Sequence, residues 1–332
     1  MEFADELWRF SGTPYQPLAR VAAGAGTTFL GMDRYEHPNA VKFYRPASAP
    51  DVALIRVQIT AELIDALGSP RIVRRLAAGA VRGELWTAGE YVPGASLQEV
   101  VDEHGPLSRE GVRHLAQGLI EAFVALHGAG LAGRGTVARD VVLGRNGPVI
   151  VDLGLTRIEG ADGRIDSVDE AVSPSSVAED VRAIGALLYL AATGRPASSA
   201  ADDILSPAVG NCPSALREAI VASLRARPAA RPSLEQLARA ADETWVSASL
   251  ATQWLAEPWQ SADVLAEVDR RANELARLRA HAIDRAILAA APPSLSARRG
   301  RPVRWEKPEP AVRDRRWLAH NAVRALLNRF GR

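Results

Sequence analysis

Residues 141–155, VVLGRNGPVIVDLGL, decide how the rest of the chain is read. Val141, Val142 and Leu143 make one short apolar strand, Asn146-Gly147 offers a pair that tolerates positive φ, and Val149, Ile150 and Val151 make a second strand. The hairpin brings the carboxylate of Asp152 to a strand end, where Gly154 lets the backbone turn sharply.

On either side of this hairpin the pattern divides. Residues 15–44 read as three strands, PLARVAAG, TTFLGMD and NAVKFY, and residues 51–67 carry apolar side chains at helical spacing up to Gly68-Ser69-Pro70. Two further strands follow, around 72–77 and 85–92. From Ser96 the periodicity is helical, with a long amphipathic helix over 108–127 capped by Ser108, a buried helix over 179–194, and two more near 213–225 and 233–243. Residues 244–290 read as an appended helical pair, with Trp245, Trp254 and Trp259 near its junction, and Pro292-Pro293 opens a Pro/Arg-rich linker.

The 332 residues are 47% hydrophobic, enough for a sizeable core. Cys212 is the single cysteine, which excludes an internal disulfide and suits a reducing compartment, so a cytoplasmic protein is expected. No run of 18 apolar residues exists, and the acidic start MEFADELWRF is unlike a secretory signal. The net charge of +1 hides an asymmetry: the 35 residues from Arg298 carry +8 and the first 297 carry −7.

Together these pieces resemble a protein-kinase domain over residues 15–243, in order and spacing as well as in letters. Asp152-Leu153-Gly154 resembles the Asp-Phe-Gly motif, GEYVPGASL at 89–97 the hinge, and VALHGAG at 124–130 the helix end before the catalytic loop. EDVRAIGALLYLAATGRP at 179–196 resembles the central helix with its Asp180, and ARPAARPSLEQL at 226–237 the segment with a late arginine, Arg231. The resemblance implies an α+β, two-lobed protein-kinase-like fold: a leader over 1–14, a β-rich N-lobe with one helix over 15–88, and the hinge and helical C-lobe over 89–243. A helical appendage over 244–291 and a linker with a basic tail helix over 292–332 extend it.

The same resemblance assigns a nucleotide site for ATP. Lys42, in Ala40-Val41-Lys42, takes the place of the lysine that pairs the α- and β-phosphates; 38 of the 40 basic residues are arginine, so a lysine here points to a need for a compact ammonium. Glu62 is its candidate partner, although an ungapped alignment of SPRIV at 69–73 puts Thr60 there. The two point about 200° apart on a helix, so only one faces Lys42. The phosphate-covering loop aligns as Val21-Ala22-Ala23-Gly24-Ala25-Gly26: Gly24 and Gly26 remain as candidate binding residues, while Val21 and Ala23 replace two family glycines, which implies weak binding or an empty cleft. At the hinge, the backbones of Glu90 and Val92 are placed to pair with the adenine, and Gly89 takes the gatekeeper position.

Transfer chemistry is where the chain departs from the family. Counting back from the hairpin along LAGRGTVARD, Asp140 falls where the family has a metal-binding Asn, Gly135 where it has the catalytic Asp, and Val137 where it has the catalytic-loop Lys. Asp140 and Asp152 are then candidate ligands of Mg²⁺ or Mn²⁺, for which oxygen donors are suited. Residues 155–179 contain no clear Ala-Pro-Glu; Glu170 is the candidate partner of Arg231.

The expectation is therefore a pseudokinase acting as a regulatory or scaffolding module, leaning away from catalysis. The alternatives are a noncanonical phosphotransferase acting on a small molecule, lipid or protein, and a structural adaptor with an empty cleft. Residues 311–330 form a basic amphipathic helix, fitting the protein's own acidic body, a protein partner or the anionic inner face of a membrane. No surface interleaves aromatic and basic residues, so nucleic acid is not expected.

Overall fold

The computed structural model describes residues 3–23, 27–45, 50–132, 135–153, 174–197, 212, 214–241 and 262–290. The chain divides into two compact units, 1–286 and 287–332, and every element below begins in the first. Gly24, Gly26, the segment from Gly154 to residue 173 with Glu170, the three tryptophans of the appendage and the basic tail lie outside the described residues.

The first lobe is a five-stranded antiparallel sheet in the order β1 (Gln16–Ala23), β2 (Thr27–Met32), β3 (Pro38–Tyr44), β5 (Glu84–Glu90), β4 (Arg75–Val81), with α1 (Pro50–Leu67) between β3 and β4 in sequence. Alternation of side chains along the strands gives the sheet two unlike faces. On one, Phe29, Val41, Phe43, Trp86 and Ala88 form a buried cluster. On the other, Tyr44 and Leu85 pack with Val57 of α1, and Lys42 stands beside its register partner Thr87.

The first cluster is closed by a segment that the sequence shows only as a leader. Residues Phe3–Gly12 form a 3₁₀ helix, and the Phe10 ring meets Phe29 and Phe43 edge-on at 5.3 and 5.1 Å. Arg9 anchors the segment with two hydrogen bonds to the buried carboxylate of Glu84, at 2.8 and 3.2 Å.

In the second lobe, α3 (Arg109–Gly128) buries Leu115, Leu119, Ile120, Phe123 and Leu126 at helical spacing, and Ser108 caps it by accepting from the Gly111 N–H. α4 (Pro174–Thr193), α5 (Ser214–Ser223) and α6 (Leu234–Ala241) complete this core. The hairpin is β7 (Val141–Gly144) and β8 (Gly147–Ile150), and β6 (Gly94–Ser96) adds a third strand that runs into α2 (Leu97–His104). The second hairpin strand stops one residue earlier than the sequence suggests: the Val151 N–H still donates to the Asp140 carbonyl at 2.8 Å, but Asp140 belongs to the 3₁₀ turn that precedes β7. α3 lies against the hairpin through Gly118, where a Cβ would overlap the ring of Pro148. Among the described residues, no helix is long and apolar enough to cross a membrane.

The leader is thus part of the first lobe's core. Phe10→Ala is expected to lower the unfolding free energy by about 3 kcal/mol in a urea titration; a loss below about 1 kcal/mol would mean that residues 3–12 merely rest on the sheet.

Candidate functional site

The hairpin places Asp152 because its second strand is fixed to the first lobe. The Ile150 N–H donates to the Arg71 carbonyl at 2.8 Å and the Val73 N–H to the Ile150 carbonyl at 2.9 Å. Arg71 itself reaches Glu121 of α3 at 2.9 Å and the Asn146 carbonyl at 2.7 Å. Two residues beyond β8, Asp152 enters the cleft with its side chain 12% exposed.

Two cations meet it there. Lys42 Nζ bonds Asp152 Oδ2, and Arg75 Nη2 donates to Asp152 Oδ1 at 3.5 Å and to the Val151 carbonyl at 3.2 Å, while Arg75 Nη1 donates to Thr87 Oγ1 at 3.3 Å. Lys42 is 18% and Arg75 only 7% exposed. Buried charges of this kind persist only when opposed, and this group opposes itself.

Arg75 has no role in the sequence reading. It is aimed by a β-bulge: Ala77 pairs with Ala88 but Arg75 pairs with Gly89, so the extra residue, Leu76, shifts the alternation by one. Without that bulge Arg75 would share the face of Ala77, which packs on the aromatic cluster. With it, the guanidinium runs along the cleft face from its place opposite Gly89 to Thr87 and Asp152. The available signal was a charged residue opening an otherwise apolar strand, RLAAGAV, after a strand-breaking segment.

The other candidate residues divide. On α1, Thr60 is buried at 2% exposure while Glu62 is exposed, and among the described residues the ion pair of Lys42 is with Asp152. The helix therefore turns the Thr60 side inward, and Glu62 is not brought to Lys42. Asp140 ends a 3₁₀ turn (Ala138–Asp140); its Oδ2 accepts from the Val137 N–H at 3.1 Å. Gly135 has φ +59°, in the left-handed region where a side chain is strained, and Val137 is exposed. The Glu90 N–H donates to the Arg74 carbonyl at 3.2 Å, so the sheet already uses it, whereas among the described residues Val92 makes no backbone hydrogen bond. Arg231 pairs with Glu179 of α4 at 2.7 Å, and Asp180 lies 2.8 Å from His127 Nε2 at the end of α3. No group of three or more His, Cys, Asp or Glu side chains gathers as a metal site among the described residues.

A second charged cluster braces the hinge from outside. α7 (Ala262–Ala290) buries Val264, Glu267 and Val268. Its Arg271 reaches the Gly94 carbonyl and Glu99 at 3.3 Å each, and Asp269 pairs with Arg145 of the hairpin turn. Ser96 and Glu99 form a capping box at the start of α2, legible in the sequence as Ser-x-x-Glu. Burial pushes the Glu99 carboxyl up, but its hydrogen bonds from Ser96 and the pairing with Arg271 outweigh that and hold it below its ordinary value.

No protein-family model matches the chain. The serine/threonine-protein kinase AfsK of Streptomyces coelicolor is 30% identical over 276 residues, covering 74% of this chain and 34% of the relative. Among solved structures, the apo form of PpkA-294 superposes with a TM-score of 0.57 at 17% identity over 70% of this chain and 98% of that one. A structure of Rad53 residues 1–466 in complex with AMP-PNP gives 0.53 at 18% identity, over 70% of this chain and 66% of that one. The chain belongs to the protein-kinase-like superfamily. It spans about a third of the length of curated kinases that it matches, and it carries the superfamily's two-lobed α+β fold.

The brace on the hinge has a pH signature. The hydrogen bond from Arg270 and then the pairing with Arg271, against the opposing effect of burial, hold Glu267 down to about 2 from an ordinary 4.5. A depressed carboxylate stabilises the fold fully above the unfolded value and loses that contribution as pH falls toward the folded one. Glu267→Gln is therefore expected to cost on the order of 1–2 kcal/mol at neutral pH, with the gap from wild type closing as pH drops below about 4.5. A gap independent of pH in denaturant titrations would mean that the carboxylate's charge contributes nothing.

Proposed function

We propose that the chain is a pseudokinase: a kinase-shaped regulatory or scaffolding module whose cleft takes ATP weakly and does not transfer its γ-phosphate efficiently. The observation that carries this reading is Gly135. It aligns with the catalytic aspartate, offers no carboxylate to orient a hydroxyl or accept its proton, and adopts a φ of +59° that disfavours a side chain. Val137, in place of the catalytic-loop lysine, removes a second charge from the transfer site.

Lys42 and the Val92 backbone support nucleotide binding at the two ends of the cleft, and the relation to kinases, one of whose structural neighbours is in complex with AMP-PNP, supports the same ligand class. The output runs through the C-terminal extension to a protein partner, because α7 is tied by Arg271 and Asp269 to both the hinge and the hairpin turn. The basic tail that follows is suited to the same partner or to the anionic inner face of a membrane.

The test is transfer of labelled γ-phosphate to water, to the chain itself and to a generic protein substrate, with Mg²⁺ and Mn²⁺ supplied. Wild type is expected to equal Lys42→Ala at background, and Gly135→Asp to leave it there while costing about 1 kcal/mol of stability. Transfer by wild type well above the Lys42→Ala control, abolished by Asp140→Asn, would overturn the reading in favour of a noncanonical phosphotransferase that uses Asp140.

A further inference from the structure

Among the described residues, the charge of Asp152 is met by two cations without a divalent ion. The family arrangement that Lys42 resembles opposes one lysine with a glutamate and an aspartate, and the excess negative charge is met by metal. Here Glu62 points to solvent, and Arg75 brings a second cation onto Asp152. Both oxygens of Asp152 are engaged, Oδ2 by Lys42 and Oδ1 by Arg75. Among the described residues, Asp152 faces two cations, one more positive charge than it cancels. Two fixed cations on one carboxylate repel a divalent cation brought to the same oxygens.

Building such an arrangement required a departure from regular strand geometry. The bulge at Leu76 turns Arg75 from the aromatic face to the cleft face, and Thr87 and the Val151 carbonyl then hold its guanidinium. A planar, permanently charged donor fork that shares Asp152 with Lys42 suits phosphate oxygens.

We infer that Lys42 and Arg75 together form a two-cation phosphate site that binds the nucleotide without a divalent metal, with Arg75 as the residue that makes binding metal-independent. The inference rests on the nucleotide-binding reading above. The chemical class of ligand is a free nucleoside triphosphate, with part of its phosphate charge met by Lys42 and Arg75.

Thermal unfolding of the full chain separates the two ideas. Wild type, Arg75→Gln and Arg75→Ala are each unfolded with no ligand, with ATP and EDTA, and with ATP and Mg²⁺, after circular dichroism has shown that each variant is folded. Wild type is expected to be stabilised by ATP to the same degree in EDTA and in Mg²⁺, and both variants to bind ATP in EDTA about tenfold or more weakly, recovering part of that loss with Mg²⁺. Stabilisation of wild type only with Mg²⁺ would overturn the inference while leaving the nucleotide site standing. ATP stabilisation in EDTA that is unchanged in a folded Arg75 variant would overturn the role of Arg75. No ATP stabilisation in any condition would overturn the nucleotide reading, and this inference with it.

Discussion

A carboxylate drawn out of water must find opposite charge, and in this protein Asp152 finds it on two strands of the other lobe at once. Lys42 reaches it from β3 and Arg75 from β4, while Asp152 itself is delivered by the hairpin that is the floor of the second lobe. Backbone bonds between Ile150 and both Arg71 and Val73 fix the distance across which those side chains work. The cleft is therefore not a gap between two independently folded halves. Its walls are joined by an ion cluster whose members have little access to solvent.

Around that cluster the leader and α7 reinforce the frame. The N-terminal 3₁₀ helix seals the aromatic side of the sheet, so that the face opposite the cleft is dry and the strands carrying Lys42 and Arg75 are backed by Phe10, Phe29 and Phe43. α7 does the corresponding work at the hinge, where Glu267 holds Arg270 and Arg271 in place and Arg271 passes on to Gly94 and Glu99. In the reading proposed above, a partner acting on α7 would act on the hinge through these ion pairs.

Much of this was legible in the sequence because periodicity encodes it. The hairpin, the strand order around α1 and the buried face of α3 follow from alternation and helical spacing. Lys42 and Asp152 were each singled out through the resemblance, but their direct ion pair was not. Glu62 and Thr60 could not be separated, since a gap of one or two residues rotates the helix; burial of Thr60 resolves it. Arg75 was hidden for another reason. Its direction depends on a single-residue bulge, and regular alternation would have turned it to the other face. The leader was illegible because the role of Phe10 arises only when the sheet exists to receive it.

The claim that Asp152 and Arg75 form one buried charge unit is tested most directly by a double-mutant cycle on stability, with Arg75→Gln, Asp152→Asn and the pair measured by urea unfolding. The account predicts non-additivity of about 1–3 kcal/mol, because Asp152→Asn alone leaves both Lys42 and Arg75 without their carboxylate, whereas the double change leaves only Lys42 so. Additivity within about 0.5 kcal/mol would contradict it.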